Sequence, residues 1–279
     1  MKIINFVIKK IQKCGGKCDW NDGLWGACFG GHTNIIKNII KMGNLESCKW
    51  GWNARLRNVC EGGTIDAINI ILNVKFPFDW NIGMVGTCSG GHLNIVKLMI
   101  DKGATDWNSG LYHACRKGNL SIIELMIEKG AIDWNHGLCG ACSNGNLDIV
   151  NLIIEKGEYE CFDFDWNEAL YESGRVGNLG AAEFIISEGK FEIYDFDFDE
   201  ALYRTCQYNR EDTEKICELL IREGAKDFEY GLCSACSDNL VNLCDLMINK
   251  GAIECSNCRW NKEQNGAHKE WRGEVIKVD

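Results

Sequence analysis

The sequence predicts an all-α fold made of stacked helix pairs, and three observations predict it. An aromatic residue followed by Asn or an acidic residue recurs about every thirty residues along the 279-residue chain. Each recurrence is followed by two apolar stretches with helical periodicity, most of them closed by a glycine. No stretch has the sustained alternation of apolar and polar residues that is typical of a strand.

The repeat is defined by an aromatic residue and by a Leu or Met four residues later. The aromatic positions lie 27 to 32 residues apart and are Trp20, Trp52, Trp80, Trp107, Trp134, Trp166, Phe198, Phe228 and Trp260. The position four residues later holds Leu24, Leu56, Met84, Leu111, Leu138, Leu170, Leu202 and Leu232. A fixed period in this range indicates an array in which each unit packs against the next.

Each unit contains two short helices. In "NSGLYHACRKG" the apolar Leu111, Ala114 and Cys115 share one face of a helix that Gly118 closes. In "NLSIIELMIEKG" a broader apolar stripe ends at Gly130. Helices of this length cannot bury their apolar faces alone, so the units are expected to stack.

The whole chain, residues 1–279, is expected to be a single array. It contains one proline and no polar linker at which a domain boundary could fall. Residues 1–18 are predicted to form an N-terminal capping helix, residues 19–258 about eight repeats, and residues 259–279 a truncated polar C-terminal cap.

Charge and cysteine content limit the possible partners and the compartment. The net charge of -10 and the pI near 5.1 argue against binding to nucleic acid or an anionic membrane. Residues 1–60 carry ten Lys or Arg and three Asp or Glu, whereas residues 157–230 carry seven and twenty. Because 17 cysteines are an odd number and neither a signal peptide nor an apolar membrane span is recognised, reduced thiols and a cytoplasmic location are expected.

The string "GLYHACRKGNLSIIELMIEKGA" resembles the ankyrin repeat, whose pattern runs roughly T-P-L-H-x-A-A-x-x-G-H-x-x-I-V-x-x-L-L-x-x-G-A-D-V-N. The resemblance covers nearly the whole chain. It implies an ankyrin-like solenoid and a non-enzymatic scaffold that binds another protein, with no cofactor and no small-molecule substrate. The short, degenerate units are similar to those of ankyrin-repeat proteins from large DNA viruses and their protist hosts, which would place a viral protein in the host cytoplasm.

The sequence also departs from the family pattern. No unit has the Thr-Pro start, and the shortest units lack about six of the family's 33 residues. The missing part is the projecting β-hairpin, which is therefore expected to be shortened or absent. A tight turn is expected in the units that start at residues 79 and 106, and a partial hairpin near 157–165 and 189–197.

The Trp and Asn of each unit are interpreted as architectural. Asn108 is predicted to be an N-cap, with Trp107 and Tyr112 as the two residues of a hydrophobic staple. The pairs predicted to start helices in this way are Trp20 and Asn21, Trp80 and Asn81, Trp107 and Asn108, Trp134 and Asn135, and Trp166 and Asn167. If these rings are buried, Trp107→Ala should destabilise the fold by about 3 to 5 kcal/mol.

The surface expected to bind a partner is the outward face of the first helix of each unit. Residues there vary between units while the core positions stay apolar, and Tyr and Arg are typical of interface hot spots. The predicted contacts are Tyr112, His113, Arg116, Tyr171, Glu172, Arg175, Tyr203, Arg204 and Gln207. The acidic later half favours a partner with a basic surface.

Two other functional classes are left open. Cys255 and Cys258, with His268 ten residues further on, have spacing compatible with a metal site, although structural zinc requires four converging ligands and no metal is predicted. Phosphate-binding loops and hydrolase motifs are absent from the sequence, which argues against a repeat-built enzyme.

A substrate adaptor for a ubiquitin ligase is a further alternative, although the 21 residues from Arg259 leave little room for a recruiting segment.

Overall fold

The structure is a computed structural model that describes residues 20–42, 51–192, 194–252, 254–255 and 260–261. The predicted capping helix over residues 1–18 lies outside these residues, as does most of the predicted cap over 259–279. The chain forms two compact units, Met1–Gly130 and Ala131–Asp279.

The first unit contains four helix pairs among its described residues. Their bounds are α1 Trp20–Phe29, α2 Thr33–Met42, α3 Trp52–Gly62, α4 Ile65–Leu72, α5 Trp80–Gly90, α6 Leu93–Lys102, α7 Trp107–Lys117 and α8 Leu120–Glu128. The first helices of successive pairs contact one another, α1 against α3, α3 against α5, and α5 against α7. Each first helix also packs on the second helix of its own pair, so the apolar faces are buried between pairs.

The second unit repeats this arrangement. Its helices are α9 Trp134–Asn144, α10 Leu147–Tyr159, α11 Trp166–Val176, α12 Leu179–Phe191, α13 Phe198–Thr205, α14 Thr213–Glu223, α15 Phe228–Ser237 and α16 Val241–Lys250. A two-residue antiparallel pair follows, β1 Glu254–Cys255 and β2 Trp260–Asn261. Trp260 therefore stands in a strand, whereas every earlier described Trp of the repeat stands at the start of a helix. The prediction of an all-α fold of stacked helix pairs is confirmed.

The predicted N-caps are wrong, because the Asn follows the first helical residue, and in α5, α7, α9 and α11 the cap is the Asp that precedes the Trp. The carboxylate of Asp106 accepts a hydrogen bond from the backbone N–H of Ser109, 3.1 Å away, and Asp165 accepts one from Glu168 in the same way. Asp79, Asp133, Asp197 and Asp227 cap their helices equally. The positions predicted as caps, Asn21, Asn81, Asn108, Asn135 and Asn167, are instead second residues of helices.

The predicted hydrophobic staple fails for the same reason. A Trp at the first helical position and a residue five places later differ in direction by about 140° around the helix axis. Trp107 and Tyr112 are related in this way, as are Trp20 and Trp25, Trp80 and Val85, Trp166 and Tyr171, and Phe198 and Tyr203. The aromatic residue and the variable residue therefore lie on different faces.

The displaced Asn connects one helix pair to the next. The Asn81 side-chain oxygen accepts hydrogen bonds from the backbone N–H groups of Thr105, at 2.7 Å, and Asp106, at 3.0 Å. The corresponding bonds run from Asp79 to Asn53, from Asp165 to Asn135 and from Asp197 to Asn167. In the turns that begin at Asp79, Asp133 and Asp165, the Asp thus caps its own helix and the Asn holds the following turn.

Other hydrogen bonds link the turns at the opposite end of the pairs. His92 Nε2 lies 3.0 Å from the carbonyl oxygen of Glu61, so this histidine links the start of α6 to the end of α3. Asn119 caps α8 through its oxygen and donates from its side-chain nitrogen to the carbonyl of Gly91. At Gly86 an added methyl group would collide with the Arg57 carbonyl, so the glycine allows α3 and α5 to approach closely.

The longer repeats do not regain a hairpin near residues 157–165 and 189–197. Among the described residues of these segments there is no strand, and the extra residues lengthen α10 and α12 to 13 residues each. A loop with alternating aromatic residues follows, in which Phe162, Phe164 and Trp166 have successive ring centroids 5.3 Å apart. Residue 157 of α10 is a glycine because the Phe164 ring occupies the space that a side chain would need.

The Trp rings of the repeat differ in burial. Trp52, Trp134 and Trp166 are 3%, 1% and 1% exposed, whereas Trp80 and Trp107 are partly exposed. The indole N–H groups of Trp134 and Trp166 donate to Glu160 and Glu192, at 3.0 and 2.8 Å. A fully buried ring with a satisfied N–H is a strong structural anchor.

We predict that Trp166→Ala lowers the free energy of unfolding by about 3 to 5 kcal/mol, because it empties a closed core site. Trp107→Ala should cost about half as much, since part of that ring already contacts water. Urea denaturation followed by circular dichroism measures both changes. Equal losses for the two variants would contradict this ranking.

We also predict that Asn81→Ala destabilises the first unit by about 1 to 2 kcal/mol, because two backbone N–H groups of the next turn lose their acceptor. Asn94→Ala is the matched control, as Asn94 is exposed on α6. The same denaturation experiment should find the control within about 0.5 kcal/mol of the native chain. An Asn81 variant as stable as the control would remove the proposed link.

Candidate functional site

The outward face of α11 and α13 carries the most concentrated group of predicted contact residues. Ala169, Leu170 and Ser173 of α11 point into the core, which leaves Tyr171, Glu172 and their helix neighbours on the outer side. The helical period places the outward residues of α13 in the same way, around buried Ala201 and Leu202. The two helices are in contact, so their outward faces adjoin.

A groove of about 210 Å³ lies between these outward faces. Six predicted contact residues line it together, namely Tyr171, Glu172, Arg175, Tyr203, Arg204 and Gln207. Sequence reasoning did not identify Glu168, Glu200 and Tyr208, which also line it. The two glutamates could have been recognised, because they stand at the same place in the repeat, in "WNEAL" and "FDEAL".

Arg204 forms the centre of the groove. Its guanidinium carbon lies 4.3 Å from the centroid of the Tyr171 ring, which is a cation–π contact. Its Nε donates to Glu200 at 2.7 Å, and Glu168 lies 3.5 Å from its Nη1. The hydrogen bond that Arg204 donates to Glu200 and the nearby negative charges raise the pKa of Arg204, so it stays charged. Residues from two helix pairs are thus held in one network.

Glu172 pairs with Arg175, the other arginine of the groove. Arg175 Nε donates to Glu172 at 2.6 Å, and the hydroxyl of Ser143 on α9 also donates to this carboxylate. Both arginines of the groove are therefore engaged by glutamates. Three carboxylates against two guanidinium groups leave the groove with a net negative charge.

The Tyr171 phenol remains protonated over the physiological range. Burial, together with the nearby carboxylates of Asp197 and Glu200, raises the pKa of Tyr171 to about 12 against the opposing effect of Arg204. Tyr203 stacks on Tyr230 of α15 with ring centroids 3.8 Å apart and planes within 5° of parallel. The groove therefore continues into an aromatic surface that reaches a third helix pair.

The predicted contacts of the first unit are arranged differently. The Tyr112 and His113 rings meet edge to face at 5.0 Å, and His113 Nδ1 lies 3.0 Å from the Ser89 hydroxyl on α5. Burial lowers the pKa of His113 to about 4, with Arg57 and Arg116 acting in the same direction and Asp106 opposing them. His113 is thus neutral at pH 7 and linked to the neighbouring helix, whereas Arg116 is exposed.

Buried thiols occur in pairs that sequence reasoning missed. Cys206 and Cys217 have sulfur atoms 3.7 Å apart, and those of Cys236 and Cys244 are 3.4 Å apart. Cys217 and Cys244 stand where earlier repeats have Val, Ile or Ala, so the signal was present in the aligned second helices. The hydrogen bond with Cys206 and burial raise the pKa of Cys217, which keeps this thiol protonated.

The described part of the chain contains no group of three or more His, Cys, Asp or Glu residues arranged to hold a metal ion. Of the alternative metal set, Cys255 lies in β1, whereas Cys258 and His268 lie outside the described residues. No helix in the described ranges is both long and apolar enough to cross a bilayer.

Part of the chain matches a known family, and a solved structure is similar to it. Residues 84–163 match the model for ankyrin repeats in three copies. The ankyrin repeat domain of human ASB11 is similar in structure, with 19% sequence identity, a TM-score of 0.43, and coverage of 64% of this chain and 87% of that chain. No protein with a curated description matches the sequence.

The low pKa of His113 predicts a pH dependence. His113 binds its proton near pH 6.5 in the unfolded chain and only near pH 4 in the folded chain. Its contribution to the free energy of unfolding is therefore present above pH 6.5 and is lost as the pH falls toward 4. His113→Gln should reduce the loss of unfolding free energy between pH 7 and pH 4 by about 1 to 2 kcal/mol, allowing for solvent screening of a partly exposed ring. Urea titrations of native chain and variant at both pH values measure the difference, in which the other titrating groups cancel. Parallel curves would contradict the assignment.

Proposed function

The chain belongs to the ankyrin-repeat family, and on that premise we propose that it is a non-enzymatic scaffold that binds a partner protein through the groove of α11 and α13. Ankyrin repeats generally mediate protein–protein interaction. The observation that carries the proposal is the convergence of variable residues from two repeats on one groove.

The composition of the groove supports protein recognition. Tyr171, Tyr203 and Arg204 are of the residue types that dominate interface hot spots, and they lie together in a partly desolvated depression. Their network is formed before any partner binds, because Arg204 is held by two glutamates and the Tyr171 ring. A preformed surface loses little conformational entropy on association.

The partner we propose has a basic surface. The groove contains Glu168, Glu172 and Glu200, and the Tyr171 phenol also experiences the charges of Asp197 and Glu200. The surrounding residues 157–230 carry twenty acidic side chains and seven basic ones. Such a field speeds association with a cationic protein and disfavours nucleic acid and anionic membranes.

Tyr112, His113 and Arg116 of the first unit are proposed as additional contacts, with exposed Arg116 the most accessible of them. We place the interaction in the cytoplasm. Support comes from the described cysteines, most of which are buried in the helical core as small apolar residues.

We predict that a double variant, Tyr171→Ala with Tyr203→Ala, weakens capture of the specific partner from a cell lysate by about tenfold or more, because two hot-spot rings are removed. Quantitative mass spectrometry of the captured proteins measures the loss. Phe184→Ala, on the second helix of the same pair, is the matched aromatic truncation, and thermal melts verify that all variants fold.

Raising the salt concentration from 50 to 500 mM should also reduce native capture, since screening weakens charge steering. Equal capture by the native chain and the Tyr171/Tyr203 variant would place the contact elsewhere. Capture that is insensitive to salt would remove the basic partner.

A further inference from the structure

The two lengthened helices of the second unit end in the same four-residue pattern. It reads Gly157-Glu158-Tyr159-Glu160 at the end of α10 and Gly189-Lys190-Phe191-Glu192 at the end of α12. The segments are 32 residues apart, which is one repeat. Helices α10 and α12 contact each other, so the two ends are neighbours.

Two of the four positions have a structural task. Gly157 and Gly189 leave space for the rings of Phe164 and Phe196, with which added methyl groups would collide. Glu160 and Glu192 accept the indole N–H groups of Trp134 and Trp166. The extra turn therefore anchors the first helix of its own pair.

The aromatic position has no such task. Tyr159 and Phe191 are 89% and 88% exposed, more than any other large apolar side chain among the described residues. An exposed ring of this size lacks the favourable free energy that its burial would contribute. A matching exposure at the same place in two neighbouring repeats indicates a surface that a partner covers.

The surroundings of the two rings are acidic. Residues 155–165 contain five carboxylates and one lysine, and residues 187–197 contain four carboxylates and one lysine. That second lysine, Lys190, already pairs with Glu223. A partner that covers the rings must therefore bring apolar groups framed by cations.

We propose that Tyr159 and Phe191 form a docking ledge for an amphipathic, basic helix of the partner. The ledge rests on the proposed function, since it extends the binding surface of the same basic partner. Packed helices lie about 8 to 10 Å apart. Residues seven apart on one helix are separated by about 10.5 Å, so apolar side chains at i and i+7 match two rings in neighbouring repeats. Lysine or arginine on both sides of that stripe meets the surrounding carboxylates.

The test uses the full chain and synthetic helical peptides. The probe is an 18-residue peptide with Leu at i and i+7 and Lys beside each Leu, and the matched peptide has Glu in place of Lys. Fluorescence anisotropy at 50 mM salt measures the Kd. The native chain should bind the Lys peptide at least about tenfold more tightly than the Glu peptide, and Tyr159→Ala with Phe191→Ala should weaken binding about tenfold.

Leu147→Ala, which truncates an exposed side chain at the other end of α10, is the control and should change the Kd less than about twofold. A double ledge variant within twofold of the native Kd overturns the ledge, and so does equal binding of the Lys and Glu peptides. If only Tyr171→Ala with Tyr203→Ala weakens binding, the groove stands and the ledge falls. If only the ledge variant weakens binding, the ledge stands and the groove falls. Loss of self-association in the ledge variant, measured by sedimentation, would make a second copy the occupant and overturn the proposal.

Discussion

The arrangement of the repeats depends on a hydrogen bond from a backbone N–H to an Asn side chain of the preceding turn. The N–H of Asp165 donates to Asn135, and that of Asp197 donates to Asn167. The Asp then caps its helix, and the Asn after the Trp receives the following turn. Asp-Trp-Asn performs both tasks in the turns that begin at Asp79, Asp133 and Asp165, and Asp199 replaces the Asn in the turn that begins at Asp197. These turns therefore fix where the following first helices begin. This placement determines which residues face outward and line a groove.

The longer repeats add one turn to their second helices and leave the rest of this arrangement unchanged. Their extra turn places a glutamate on the buried Trp and a glycine beneath a Phe ring, and these contacts hold the turn in position. The aromatic residue between them is left in solvent. The groove of α11 and α13 and the ledge at the ends of α10 and α12 thus share the pair of α11 and α12. Both carry aromatic rings within an acidic field, which is why we propose a single basic partner for both.

Much of the fold could be predicted because the same sequence pattern recurs in every repeat. Leu111, Ala114 and Cys115 recur in register with their counterparts, and all three are buried as their spacing indicates. The groove was predicted in part for the same reason, since Tyr171 and Tyr203 vary where the core positions do not. Tyr208 could not be assigned to this surface, because it follows the end of α13 and has no helical position that the repeat makes recognisable. Tyr230 could have been assigned, because it stands at the place in the repeat that Glu168 and Glu200 occupy. The N-caps were misassigned because Asp106 and Asn108 are equally good capping residues, and only the first helical residue distinguishes them.

The sequence by itself determined the helix pairs, their order and the acidic character of the second half, because periodicity and charge are local properties of a chain. Only the tertiary structure decided what the Asp, Trp and Asn of each turn do. The Asn81 oxygen bonds to a backbone 24 and 25 residues away, and the Trp134 indole bonds to a glutamate 26 residues away. The Asn81 partners depend on how neighbouring pairs are placed, and the Trp134 partner depends on how the two helices of one pair pack together. The recurring Trp therefore marked the array in the sequence, whereas its burial and its hydrogen bond were set by tertiary packing.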